Sequence, residues 1–170
     1  AIGAMAPTFF KPEDTASLMG WFARITEPAS GLPFYFYDIP SMTGVSIDTK
    51  QFVESARKRI PSFAGVKYTN PDRDQLSAIL ALENNSHDIL WGCDEELLDG
   101  LELGCLGAVG SSYNFAAGIY HCVIKAYESG DLDVAKHWQS RSVALIDTLK
   151  SHGYMYSAKA VMEMVGVDCG

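Results

Sequence analysis

The chain has 170 residues, 48% of them hydrophobic and 20% charged, with a formal net charge of −8. That balance belongs to a soluble globular chain long enough to bury a core, and it excludes disordered, fibrous and repetitive classes. The acidic excess gives no electrostatic reason to bind nucleic acid or an anionic membrane, so small molecules and other protein subunits are the expected partners.

Strand-like runs alternate with helical periodicity along the chain. A first strand is expected at Ile2 to Ala6, followed by a helix at Glu13 to Thr26. A second strand, Pro33 to Tyr37, leads into a loop shaped by Pro40 and Gly44 and a helix at Asp48 to Arg59. The third unit pairs Ala64 to Lys67 with Arg73 to Asn84, and the fourth pairs Asp88 to Trp91 with Glu95 to Leu103. A fifth strand, Gly107 to Gly110, precedes a helix at Phe115 to Ser129. Helices alone then follow, at Leu132 to Ser151 and Ser157 to Val165, the first opened by Asp131 and Asp133, where acidic groups favour a helix start.

The strands are nearly all apolar, which predicts a parallel sheet covered on both faces. The glycines Gly104, Gly107 and Gly110 make a poor dinucleotide fingerprint, which disfavours an open doubly wound sheet. The class is α/β, and a (β/α)8 TIM barrel stands beside that open sheet as the other parallel architecture that fits. A complete barrel needs eight strands and about 250 residues, whereas five strand–helix units are present here, with residues 1–130 as the partial barrel and 131–170 as a helical extension of the same domain.

No apolar stretch approaches the roughly 20 residues of a membrane span; Leu101 to Val109 and Ile119 to Ile124 are both interrupted or short. The opening Ala-Ile-Gly-Ala-Met-Ala carries neither an initiator methionine nor the charged front of a signal peptide. The chain reads as beginning inside something longer. Cys93, Cys105, Cys122 and Cys169 show no C-x-x-C spacing and are expected to be reduced thiols of a cytoplasmic protein, not zinc ligands.

The chemistry is expected at the C-terminal strand ends, where barrels build their active sites. Lys67 ends Phe63-Ala64-Gly65-Val66. An amine that attacks a ketone must first lose its proton, and apolar walls favour that loss; the alternative is a solvated loop lysine. Tyr37 ends its own strand and can exchange a proton there, or can simply pack with Phe34, Tyr35 and Phe36. Gly92-Cys93-Asp94-Glu95 presents two carboxylates at the fourth strand end, although Asp and Glu also suit a plain helix start. Gly110-Ser111-Ser112 offers hydroxyls and backbone donors, which in many barrels hold phosphate. His87, His121, His137 and His152 fall away from this rim and read as structural or surface groups. No H-E-x-x-H, G-x-S-x-G or P-loop pattern occurs.

Taken together and in order, these segments resemble the N-acetylneuraminate lyase and dihydrodipicolinate synthase family over essentially the whole chain. Phe34-Tyr35-Phe36-Tyr37-Asp38-Ile39-Pro40 with Ser41-Met42-Thr43-Gly44 is similar to the family's catalytic tyrosine strand. Gly65-Val66-Lys67 is similar to its Schiff-base lysine strand. The resemblance implies that Lys67 and Tyr37 are catalytic and that Thr69 contacts substrate. It further implies that Gly92, Asp94, Glu95 and Ser111 bind the polyhydroxy tail of sialic acid. Met42 stands near the position where dihydrodipicolinate synthases usually carry a carboxylate-binding arginine, which favours the lyase subgroup, and Trp91 to Leu98 looks most like the animal-type enzymes.

The activity so implied is cleavage of N-acetylneuraminate to N-acetylmannosamine and pyruvate, with no metal or organic cofactor, in a cytoplasmic homotetramer. The family's Gly-[Ser/Thr]-Thr-Gly-Glu carboxylate anchor and its Pro-Pro-Arg tail have no match here. The chain alone is therefore expected to be inactive. Two other readings stay open: a different 2-keto acid aldolase or a synthase-like condensation, and a non-catalytic half-barrel that pairs through its sheet edges.

Overall fold

The computed structural model describes residues 1–82 and 87–170. The chain divides into two compact units, one of Ala1–Gly92 with Cys105–Gly107, the other of Cys93–Gly104 with Ala108–Gly170.

In the first unit β1 (Ile2–Met5), β2 (Phe34–Asp38), β3 (Phe63–Tyr68) and β4 (Asp88–Trp91) pair in parallel as sequence neighbours. They are four strands of a five-stranded sheet in the order β1-β2-β3-β4-β5, with β5 reduced to Gly107–Ala108. Between them run α1 (Thr15–Thr26), a four-residue helix α2 (Pro40–Thr43), α3 (Thr49–Arg59) and α4 (Arg73–Leu80). A single-residue irregularity lies between Phe34 and Tyr35, after which β2 and β3 march in register from Tyr35 and Gly65 to Asp38 and Tyr68.

Aspartate starts the longer helices. Asp14, Asp48 and Asp72 accept the backbone N–H three residues on, at 2.7, 2.9 and 2.9 Å. Each such cap satisfies an otherwise orphaned donor and is worth about 1 kcal/mol. The segment after Tyr37, expected as a loop, instead forms α2, because Pro40 is tolerated in the first turn and Gly44 closes the helix with φ of 63°. The helix expected to run to Asn84 ends at Leu80, and Asn84 itself lies outside the described residues.

The strands were expected to be covered on both faces, and one face is. Phe34 and Phe36 alternate as fully buried residues with the half-buried Tyr35 and Tyr37. The covered side packs Phe22 of α1 and Phe52 of α3 against Phe34, Phe36 and Phe63, with ring centroids 4.9 to 5.9 Å apart. Leu18, Val53, Ala56, Leu76 and Ile79 are buried as well. Burial of each such large apolar side chain stabilises by about 1.5–3 kcal/mol.

Side chains two apart on a strand share a face, so the register assembles the opposite face in two layers. Gly3, Tyr35, Gly65 and Asp88 form one; Met5, Tyr37, Lys67 and Leu90 form the next. Apart from the buried Gly65, this face is half-buried to exposed, with Met5 at 46%.

The second unit is helical: α5 (Leu97–Leu103), α6 (Tyr113–Glu128), α7 (Leu132–Ser151) and α8 (Tyr154–Met164). Its core gathers Leu97, Leu98, Tyr120, Val123, Ala126 and Ala135. Asp131 caps α7 through Val134 N at 3.1 Å, as its position predicts. Among the described residues, no helix is long and apolar enough to cross a membrane.

Candidate active site

Lys67 and Tyr37 are register partners at the ends of β3 and β2 and share the open sheet face. Lys67 Nζ lies 4.0 Å from the centroid of the Tyr37 ring. Both side chains are half-buried. Apolar walls were expected around the amine; the surface it rests on is the Tyr37 ring face, and its register partner on β4 is Leu90.

The strand ends that carry this pair are tied from behind. Asp38, 3% exposed, accepts hydrogen bonds from Thr49 Oγ1 at 2.8 Å and Asn70 Nδ2 at 3.1 Å. Its carbonyl accepts Thr69 N at 2.8 Å, locking the end of β2 to the residue after β3. Burial pushes the Asp38 carboxyl above its usual range, and the hydrogen bonds from Asn70 and Thr49 only partly oppose it.

Thr69 and Gly92 meet at the same rim. Gly92 N donates to Tyr68 O at 2.8 Å, and a Cβ built on Gly92 would stand 1.9 Å from Thr69 Oγ1. Any side chain at position 92 would displace that hydroxyl. Thr69 Oγ1 is buried without a hydrogen-bond partner among the described residues, which leaves its donor and acceptor capacity uncommitted.

In the second unit Asp94, 6% exposed, accepts from Ser112 N at 2.8 Å and from Ser112 Oγ at 2.5 Å. Its side chain does not cap its own helix: the short 3-10 turn Asp94–Glu96 begins after Cys93, which makes no side-chain cap. Asp94 thus stands in the first turn of this helix and not at its N-cap. Glu95 meets Lys150 Nζ at 2.7 Å. Burial alone would raise the Glu95 carboxyl, but the Lys150 ammonium outweighs it and holds the group below its usual range. Ser111 Oγ and Tyr154 Oη lie 2.6 Å apart.

The dihydrodipicolinate synthetase family matches residues 1–170. The chain belongs to this family. It is 34% identical over 172 residues to an N-acetylneuraminate lyase of Gallus gallus, covering 99% of this chain and 56% of that protein. It is 36% identical over 174 residues to that of Rattus norvegicus, covering 99% and 54%. Among solved structures, Proteus mirabilis N-acetylneuraminate lyase superposes with a TM-score of 0.93 at 33% identity, over 99% of this chain and 57% of that one. The Aliivibrio salmonicida lyase gives 0.94 at 32%, over 99% and 56%. The chain thus spans about half the length of the curated relatives it matches, and its five strand–helix units are part of the barrel of such aldolases.

For a member of the dihydrodipicolinate synthetase family, the residues named from sequence fall in two groups. Lys67 and Tyr37 come together, as do Thr69 and Gly92, in the first unit; Asp94, Glu95 and Ser111 lie in the second. Sequence reasoning missed the side chains that hold the second group. Ser112 binds Asp94 and is linked at 2.5 Å to Tyr120 Oη. Gln139, buried within α7, donates to Asp94 O at 3.2 Å and accepts from Leu98 N at 2.8 Å. The Ser111-Ser112 doublet was visible as a hydroxyl source, but nothing local distinguishes the serine bonded to Asp94 from the one bonded to Tyr154.

Proposed function

We propose that the protein carrying this chain is a Schiff-base aldolase that cleaves N-acetylneuraminate to N-acetylmannosamine and pyruvate. The observation that carries this reading is the Lys67 amine set 4.0 Å over the Tyr37 ring, on adjacent parallel strand ends. Family membership and the similarity to named N-acetylneuraminate lyases support the choice of substrate.

Lys67 nitrogen bonds to C2 of the open-chain keto acid, and the ketone oxygen leaves as water. The resulting cationic imine accepts the electron pair of the C3–C4 bond as it breaks. Tyr37 takes the proton of the C4 hydroxyl, which becomes the aldehyde carbonyl, and the substrate carboxylate assists that transfer. The enamine left on Lys67 picks up a proton at C3, and water releases pyruvate and the free amine. Thr69 and the Gly92 carbonyl are assigned to substrate contact. Asp94, Glu95 and Ser111 are assigned to the hydroxyls of the sugar-acid tail, as acceptors held in place by Ser112, Lys150 and Tyr154. The reduced thiols and the family resemblance are the grounds for assigning a cytoplasmic homotetramer.

The test is covalent. Pyruvate with borohydride should leave a reduced adduct that mass spectrometry maps to Lys67, and Lys67→Ala should abolish both the adduct and N-acetylneuraminate cleavage. Cleavage that survives Lys67→Ala would refute the mechanism.

A further inference from the structure

The layer of the sheet face next to Lys67 holds an ion-capable pair that the proposed reaction does not use. Tyr35 of β2 donates its hydroxyl to Asp88 Oδ2 of β4 at 2.6 Å, across the intervening β3. Gly65 lies between them in register, and a Cβ there would stand 2.0 Å from the Asp88 carbonyl oxygen and 3.0 Å from its Cβ, so β3 and β4 approach this closely only with glycine at that position. Tyr35 and Asp88 are thus paired over a glycine one side-chain layer away from Tyr37, Lys67 and Leu90.

We propose that Asp88, tethered by Tyr35, is a positioning residue for Lys67: a fixed carboxylate on the same sheet face that stabilises the cationic imine formed on the amine. This rests on the aldolase reading above. Asp88 is offset from Lys67 by one strand, about 4.8 Å, and by two residues along the strand, about 6.6 Å. Its Cα is therefore about 8 Å from that of Lys67; Asp88 is exposed, so its field there is partly screened, and the separation is about one Debye length at physiological salt.

The ionisable groups on this face from the strands packed on β3 are few. They are Tyr35 and Tyr37 of β2 and Asp88 of β4; β1 presents Gly3 and Met5. His87, next in the chain to Asp88, packs its ring 4.8 Å from Phe63. Burial, with Arg57 nearby, lowers its affinity for a proton and so keeps it from cancelling the carboxylate. The Tyr35 phenol is raised above its usual range, first by its hydrogen bond to Asp88, as expected for a donor facing an anion. The tether matters because an unfastened aspartate on a half-exposed face would turn to water and be screened.

The full chain as encoded should be saturated with pyruvate and pulsed briefly with borohydride across a pH series, since the protonated imine is the species reduced. Removing the carboxylate makes the imine lose its proton at lower pH. In Asp88→Asn the alkaline fall-off of trapping should therefore move down by about 0.5–1 pH unit. Tyr35→Phe, which keeps the charge and frees it, should move the fall-off the same way by less, and Asp88→Glu should restore part of the wild-type profile. If Asp88→Asn does not fold, the Tyr35→Phe profile decides alone. Coincident profiles with a normal adduct on Lys67 would overturn the role of Asp88 while leaving the aldolase reading intact. Absence of any Lys67 adduct in the unmutated full-length protein that carries this chain would overturn both.

Discussion

Lys67 and Asp94 are both ionisable side chains placed just at or after a strand end, and the fold treats them in opposite ways. Lys67 is half-buried, and its amine rests on a ring face. Asp94 is 6% exposed, with two hydrogen bonds from Ser112 on one carboxylate oxygen and Gln139 on its carbonyl. A nucleophile must release its resting partner to form a covalent bond, so a non-directional aromatic contact costs little to leave. A recognition group works by standing still, and its supporting hydrogen bonds hold it against rotation. On the proposed aldolase reading, the difference separates a loosely held reacting group from a pinned recognising one.

The largest effect expected from breaking this contrast is at Tyr37. Tyr37→Phe keeps the ring beneath the amine and removes only the hydroxyl. The Lys67 adduct with pyruvate should persist, while cleavage of N-acetylneuraminate should fall by about 10²–10⁴-fold, the range of a lost general acid–base group. Steady-state turnover alongside borohydride trapping separates the two. Unchanged turnover would reduce Tyr37 to a resting surface for the lysine.

Next is the pinning of Asp94. A Cβ on Gly110 would fall 1.7 Å from Asp94 Oδ1 and 2.2 Å from its Cγ, so Gly110→Ala must push the carboxylate off Ser112. We expect a loss of about 1–3 kcal/mol, read in urea unfolding, and a rise in KM for N-acetylneuraminate with pyruvate trapping intact. Gly118→Ala is the control. It is an exposed position in α6 with no atom within 4 Å of the added methyl, and there alanine should stabilise by about 0.5–1 kcal/mol.

The same contrast explains what could be read from the chain before its structure. The strand-end positions of Lys67 and Tyr37 were legible because a strand end is written locally, as an apolar run that stops near a polar residue; their catalytic roles came only from the family resemblance. The partners of Asp94 and Glu95 were not. Ser112 lies 18 residues from Asp94 and Lys150 lies 55 from Glu95; which turn of a distant helix faces a loop depends on packing that no local pattern encodes. The two-layer sheet face was hidden for another reason. Phe34-Tyr35-Phe36-Tyr37 is uniformly aromatic, so its alternation between covered and open faces leaves no polarity signal, and the link from Tyr35 to Asp88 spans 53 residues.

A smaller effect is expected behind the lysine, at Asp38. Burial holds its carboxyl above the usual range, so the folded chain keeps its proton to higher pH than the unfolded one. The Asp38 contribution to stability is therefore greatest in acid, falls as pH rises through the ordinary carboxylate range to the folded value, and stays reduced above it. Asp38→Asn leaves an acceptor for Thr49 Oγ1 and removes the buried charge. It should stabilise by about 1 kcal/mol at neutral pH and flatten that fall. A destabilised variant would mean that the charge itself strengthens the Thr49 and Asn70 bonds by more than burial costs.

The smallest effect is at the Glu95–Lys150 pair, where the pinned region meets solvent. The side chains are 36% and 53% exposed, so screening limits the pair to about 0.2–1 kcal/mol. The Glu95 carboxyl is held below its usual range; its contribution is therefore complete above the unfolded value and lost as pH falls through the folded one. Lys150→Gln should cost a few tenths of a kcal/mol at pH 7 and low salt, and nothing once acid has protonated Glu95 or high salt has screened the pair. Urea unfolding at two pH values and two salt concentrations gives the four numbers needed. An equal loss under all four conditions would assign the role of Lys150 to the packing of its aliphatic stem, and Glu95 would then be pinned by contact and not by charge.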